Sequence, residues 1–141
     1  EVFPGAPTVV LDSAHNPPAA AQLVANLRCA FEGRRSVWVV SLSREQQWEH
    51  MLRSVSGSGA DRIIVTSYPL ELAVDAQTIT ERWRNYSSAA AEIVENPDVA
   101  FKRALQVAGP QGLVVVTGSP QLGGYCRPLA KTFVTELPTR S

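Results

Sequence analysis

Thr8-Val9-Val10-Leu11-Asp12-Ser13-Ala14-His15-Asn16-Pro17 is the stretch whose reading decides the fold. Thr8 to Leu11 is an apolar, partly β-branched run, and Asp12 ends it. Asn16 offers a side-chain oxygen as a helix cap. Pro17 suits the first helical position, where the N–H it lacks would have no partner anyway. Ala20, Leu23, Val24, Leu27 and Ala30 then fall at spacings that share one helix face. A continuously apolar strand followed by an amphipathic helix predicts a buried parallel strand and its crossover.

The alternation continues along the chain. Val37 to Val40 is a second run, and Trp48, Met51, Leu52 and Val55 repeat the helical spacing. Ser56 to Gly59 reads as a loop. Arg62 to Val65 is the third run, with Thr66 at its end. Ala76, Ile79 and Trp83 mark a weaker helix over Asp75 to Trp83, and Ala91 to Val94 is a fourth strand candidate. Asn96-Pro97 opens a helix with Ala100, Phe101, Ala104, Leu105 and Ala108 on one face, closed by Gly109-Pro110. Leu113 to Val116 is the fifth run. Ser119-Pro120 opens a last helix containing Leu122, Cys126, Leu129 and Phe133. The expected fold is α/β: a Rossmann-like, doubly wound, mostly parallel sheet flanked by helices. It forms one domain over residues 1–141, with Glu1 to Pro7 as a lead-in segment and Pro138 to Ser141 as a tail.

Composition narrows the function classes. Hydrophobic residues are 45% and charged residues 18%, as in a globular chain. The formal net charge is zero, so nothing points to nucleic acid or an anionic membrane. No apolar run approaches the ~20 residues of a membrane span. Cys29 and Cys126 lie in no CxxC pair, and both are expected to be buried thiols of a cytoplasmic protein. No metal site is expected. His50 reads as a solvated surface residue; Trp38, Trp48 and Trp83 read as packing residues.

In an open α/β sheet, ligands gather outside the carboxyl ends of the strands. Asp12 stands at one such end and could accept hydrogen bonds from a ribose or help hold a metal. His15 could donate to a phosphate or carboxylate. N–H groups after Asn16 would face the crevice, except at Pro17 and Pro18, and a helix start favours anions. The plainer reading is that Asp12 and His15 only tie the turn together. Thr117-Gly118-Ser119-Pro120 repeats the device. Thr117 and Ser119 offer hydroxyls to a carboxylate or phosphate, and Gly118 allows close approach of a ligand; here too a capped helix alone is the plainer reading. Gly123-Gly124 would weaken the following helix and mark a bend or a close contact. No phosphate loop, HExxH, GxSxG or GxGxxG is present.

Val9 to Pro17 resembles the LDGAHNP motif of the folylpolyglutamate and dihydrofolate synthase family, within the Mur ligase superfamily. Val114 to Ser119 resembles that family's VTGS segment, and Ile93-Val94-Glu95-Asn96-Pro97 before an Ala-rich helix fits between them. The resemblance implies a C-terminal domain working with an upstream P-loop domain and a central domain that this chain lacks. It implies ATP and magnesium, bound mainly by those domains, and a folate and glutamate as substrates of folate biosynthesis. A folate carboxylate would be activated as an acyl phosphate and the glutamate amine would displace phosphate. By position, Asp12, His15 and Asn16 match ATP-binding positions, His15 lies close to the reacting centre, and Thr117 and Ser119 match amino-acid-binding positions. A monomer is expected, and the isolated domain is expected to be inactive. Two departures stand out: Ser13 replaces a glycine, and Ser41 to Gln47 replaces a glycine- and lysine-containing stretch. The alternatives are a Mur-type peptidoglycan precursor ligase domain, a degenerate non-catalytic domain that binds a nucleotide or a partner, and a free-standing nucleotide-binding Rossmann domain. The missing glycine fingerprint argues against the last.

Overall fold

In a computed structural model of the chain, residues 1–135 are described. Six strands and five helices alternate: β1 (Val2–Phe3), β2 (Thr8–Leu11), α1 (Pro17–Ala30), β3 (Ser36–Val40), α2 (Trp48–Ser56), β4 (Arg62–Val65), α3 (Ala76–Trp83), β5 (Ala90–Ile93), α4 (Pro97–Ala108), β6 (Leu113–Thr117) and α5 (Pro120–Thr135). They form one sheet in the order β1-β2-β6-β3-β4-β5. All pairings are parallel except β1 with β2, where Val2 pairs Val10 and Phe3 pairs Val9.

The expected mostly parallel α/β fold is thus observed, with corrections at its margins. The lead-in segment contains β1, an antiparallel edge strand. Two residues before Pro4 carry no period to read. The fourth strand is Ala90–Ile93, one residue earlier than expected, and α2 runs through Ser56 before Gly57 caps it. Residues 138–141, the expected tail, lie outside the described residues.

The strands alternate between two cores because successive side chains point to opposite faces. Val10, Trp38, Val40, Ile63, Val65 and Val115 pack against α1, α2 and α3. Val9, Val37, Val39, Ile64, Val114 and Val116 pack against α4 and α5. Trp38 and Trp83 are buried; Trp48 is half-buried with the Arg82 guanidinium 5.6 Å from its ring centroid. His50 is exposed, as expected.

Cys126 is buried on α5, and burial pushes its thiol up to about 12, with Asp98 adding to the shift. Cys29 corrects the expectation of two buried thiols. It stands on the solvent side of α1, opposite Leu23, Val24 and Leu27, and is exposed. Among the described residues no helix is long and apolar enough to cross a membrane.

Candidate functional site

Strand order creates the site. β6 inserts between β2 and β3, while α5, which follows it, packs on the face opposite α1 and α2. The connections diverge there, and a crevice opens at the carboxyl ends of the strands. It is split into two clefts by the amino end of α5, and Pro120 borders both. The larger, about 310 Å³, is bordered by His15, Ser41, Gln46, Tyr68, Ser119 and Gln121, among others. The smaller, about 250 Å³, is bordered by Asp12, Ser13, Glu1, Gly123 and Arg127, among others.

His15 is exposed, and its Nδ1 lies 3.0 Å from the Ser13 carbonyl oxygen. A carbonyl only accepts, so Nδ1 carries the proton. Nε2 is then an acceptor in the neutral ring and a second donor in the charged one. Asp12 is half-buried, and its Oδ1 accepts the Ala14 N–H at 2.7 Å, closing the turn. Asn16 caps α1 from extended backbone (φ −144°, ψ 160°), its Oδ1 accepting the Ala19 N–H at 2.9 Å. This corrects the expectation of amides facing the crevice. Pro17 and Pro18 have none, Ala19 donates to the Asn16 side chain, and Ala20 donates to the Asn16 carbonyl at 3.0 Å. The start of α1 therefore offers an anion its dipole but no open N–H.

Ser119 is buried. Its Oγ accepts the Leu122 N–H at 3.3 Å and donates to Gln121 Oε1 at 3.0 Å. Thr117 is also buried, borders neither cleft, and its Oγ1 has no hydrogen-bond partner. Of the five sequence-chosen residues, then, His15 and Ser119 share one cleft and Asp12 faces the other. Asn16 serves as a cap, and Thr117 lies beneath the surface. No non-glycine residue among those described has positive φ, so Ser13 fits its turn where the resembled motif has glycine.

Gly118 has φ +99°, and a Cβ there would run into the Ser41 carbonyl oxygen. The close approach expected at this glycine is to the chain itself, not to a ligand. In α5, Gly124 faces open space. A Cβ on Gly123 would stand 4.0 Å from the Asp12 carbonyl oxygen, an ordinary contact.

Sequence reasoning missed the opposite wall. Ser41 is buried, and its Oγ donates to the Tyr68 carbonyl at 2.7 Å and accepts the Tyr68 N–H at 3.3 Å. It thereby fixes the segment after β4. The signal was available: Ser41 stands at the end of a strand, as Asp12 and Thr117 do. The larger cleft is bordered by no lysine or arginine; its ionisable groups are His15, Glu45 and Tyr68. Among the described residues, no three His, Cys, Asp or Glu side chains converge as a metal site.

Known proteins resemble this arrangement. The family described as Mur ligase, glutamate ligase domain matches residues 1–120. A folylpolyglutamate synthase from Mycobacterium tuberculosis, solved with ADP and AMPPCP, superposes with a TM-score of 0.82 at 27% identity. The match covers 92% of this chain and 31% of that one. The Thermotoga maritima folylpolyglutamate synthase gives a TM-score of 0.80 at 28% identity, covering 94% and 30%. In sequence, a UDP-N-acetylmuramoyl-L-alanyl-D-glutamate–2,6-diaminopimelate ligase from Alkalilimnicola ehrlichii is 24% identical in an alignment of 135 positions that covers 90% of this chain and 27% of that protein. This chain therefore spans about a third or less of each relative's length. With a match over most of its residues and a sheet that superposes on these folylpolyglutamate synthases, the chain belongs to the Mur ligase, glutamate ligase domain family.

Proposed function

We propose that this chain is the C-terminal domain of an ATP-dependent amide ligase that adds glutamate to a folate. The observation that carries the reading is the cleft shared by His15 and Ser119, formed at strand ends from opposite ends of the chain. The related folylpolyglutamate synthase solved with ADP and AMPPCP supports ATP as the nucleotide. The step would run in two parts. A carboxylate oxygen attacks the γ-phosphorus of ATP and ADP leaves. The amine then attacks the acyl carbon, phosphate leaves, and the amine gives up a proton. His15, held through Nδ1, presents Nε2 to the reacting groups. The Ser119 hydroxyl borders the space for the incoming amino acid's carboxylate.

The larger cleft brings no lysine or arginine to the ATP phosphates. Charge developing there must be met by an upstream P-loop domain of the same polypeptide. In this reading magnesium is held mainly by the same upstream domain. The reading further places the enzyme in the cytoplasm as a monomer and leaves the isolated domain inactive.

The sequence match to a diaminopimelate-adding ligase favours one second reading, a peptidoglycan precursor ligase. Assay of the full-length protein separates them. ADP release that requires both a folate and glutamate supports the proposal. Dependence on a nucleotide-linked muramyl substrate selects the second reading, and no release with either leaves a non-catalytic domain. ATP titrated into this chain alone should bind with a Kd weaker than about 1 mM.

A further inference from the structure

Around the larger cleft the two buried hydroxyls have no hydrogen left to give. Ser119 Oγ lies 3.0 Å from Gln121 Oε1, and an amide oxygen only accepts, so the single hydroxyl hydrogen of Ser119 goes to Gln121. One Oγ lone pair is also engaged, by the Leu122 N–H at 3.3 Å. Ser41 is in the same condition, its hydrogen given to the Tyr68 carbonyl. Ser119 thus borders the cleft without a free donor for a ligand.

The free donors sit on two glutamines. Gln121 stands exposed in the first turn of α5. Its Oε1 is held by Ser119, and its Nε2 has no partner among the described residues. Gln46, half-buried on the segment after β3, repeats the arrangement. Its Oε1 accepts the Ser43 N–H at 3.3 Å, and a backbone N–H only donates, so Nε2 is again the unengaged end. Each amide is oriented through its oxygen and offers N–H groups from its nitrogen. Ser43 Oγ accepts the Glu45 N–H at 3.1 Å and keeps one hydrogen beside them. Both glutamines border the cleft that His15 and Ser119 share, one from the β3 side and one from α5.

Neutral amide donors without lysine or arginine suit a carboxylate better than a phosphate chain, whose charge calls for cations. The dipole of α5 adds to them, because Gln121 lies at its positive end. Glu45 is exposed on the same border and opposes a bare anion. An amino acid brings an ammonium along with its carboxylate, and a phosphate does not.

We propose that Gln121 and Gln46 hold a carboxylate of the incoming amino acid through Nε2, and that Ser119 is a positioning residue that aims the Gln121 amide. This role rests on the ligase reading, but not on which amino acid is joined.

Glutamine-to-glutamate substitutions test it. Gln121→Glu keeps an oxygen for the Ser119 hydroxyl and suits the first turn of a helix, so it will fold, while the outward NH2 becomes a charged oxygen. Gln46→Glu does the same against the Ser43 N–H. In steady-state assays of ADP release by the full-length protein, each should raise KM for the amino acid at least about tenfold and leave KM for ATP within about twofold. Ser119→Ala should raise the amino-acid KM by less, since the Gln121 NH2 remains. KM, unlike kcat, does not depend on the fraction of enzyme that is folded. An unchanged amino-acid KM in either glutamine variant, or an equal rise in KM for ATP, overturns the proposal and leaves the ligase reading standing. So does a larger rise for Ser119→Ala than for Gln121→Glu, which would make Ser119 the donor. Wild-type protein that releases no ADP with a folate and glutamate, or with a muramyl substrate and its amino acid, removes the ligase reading and this role with it.

Discussion

The Ser41 carbonyl oxygen occupies the place where a side chain on Gly118 would have to stand. Gly118 also has φ +99°, a conformation that L-residues with a side chain rarely adopt. Two strand ends are therefore locked together by a glycine. The cleft wall on one side, held by Ser41, is set relative to Ser119 on the other.

Substitution should show the lock directly. Gly118→Ala combines a backbone penalty with a collision against main chain, and should cost about 2–4 kcal/mol in urea unfolding. Gly124→Ala is the control. It lies within α5 facing open space and should stabilise by about 0.5–1 kcal/mol. Equal effects from the two would dissolve the Gly118–Ser41 account.

His15→Ala in the full-length protein should leave stability within about 0.5 kcal/mol, because the side chain is exposed and makes one local bond. Turnover should fall at least about a hundredfold. A loss under about tenfold, which is ~1.4 kcal/mol of barrier, would remove His15 from the chemistry.

The two thiols should separate by reactivity. Under native conditions at pH 8 a thiol reagent should titrate Cys29 within minutes and leave Cys126 untouched until the chain is unfolded. Cys126 also sets a pH signature. Its thiol rises from 9.0 to about 12 on folding, so the folded chain keeps a proton that the unfolded chain releases. That stability is complete below pH 9 and is lost between about pH 9 and 12. Cys126→Ala will be less stable at neutral pH but should show a shallower decline over that window. Parallel slopes would refute the assignment.

Glu92 gives the acid counterpart. It bonds Arg103 at 2.8 Å and Arg62 at 2.9 Å, and these contacts, Arg103 first, hold its carboxyl below its ordinary 4.5. The contribution is present above that value and lost as pH falls through the lowered one. Glu92→Gln should therefore be less stable than wild type at pH 7 and converge with it as the pH falls below the ordinary carboxylate range. Curves that stay parallel throughout acid unfolding would rule the pair out as a source of acid sensitivity.

Much of this was legible in the sequence. Runs such as Val37 to Val40 between helical spacings gave the elements, because a strand buried on both faces must be apolar throughout. Asn16-Pro17 and Asn96-Pro97 marked helix starts that both side chains do cap. Strand order was not legible, since nothing in Leu113 to Thr117 says which neighbours it will have. His15 and Ser119 stood out as polar residues at strand ends. Ser41 carries the same strand-end signal, but its role was not legible, because its partner is the backbone of Tyr68, distant in sequence and brought near only by the fold. Thr117 shows the reverse limit. A hydroxyl at a strand end reads as available, yet packing has closed over it.

The position of β6 has a consequence for synthesis. The strand at the middle of the sheet is the last made of the six described, and β2 and β3 have no hydrogen bonds to each other without it. A chain leaving the ribosome can pair β3, β4 and β5 early, but β1 and β2 must wait as a separate hairpin. Only when Leu113 to Thr117 has emerged do the pieces join, and both clefts come into being in that same event. A nascent chain halted short of Leu113 would leave the inner edges of β2 and β3 open, and it would be vulnerable to aggregation for as long as the pause lasts.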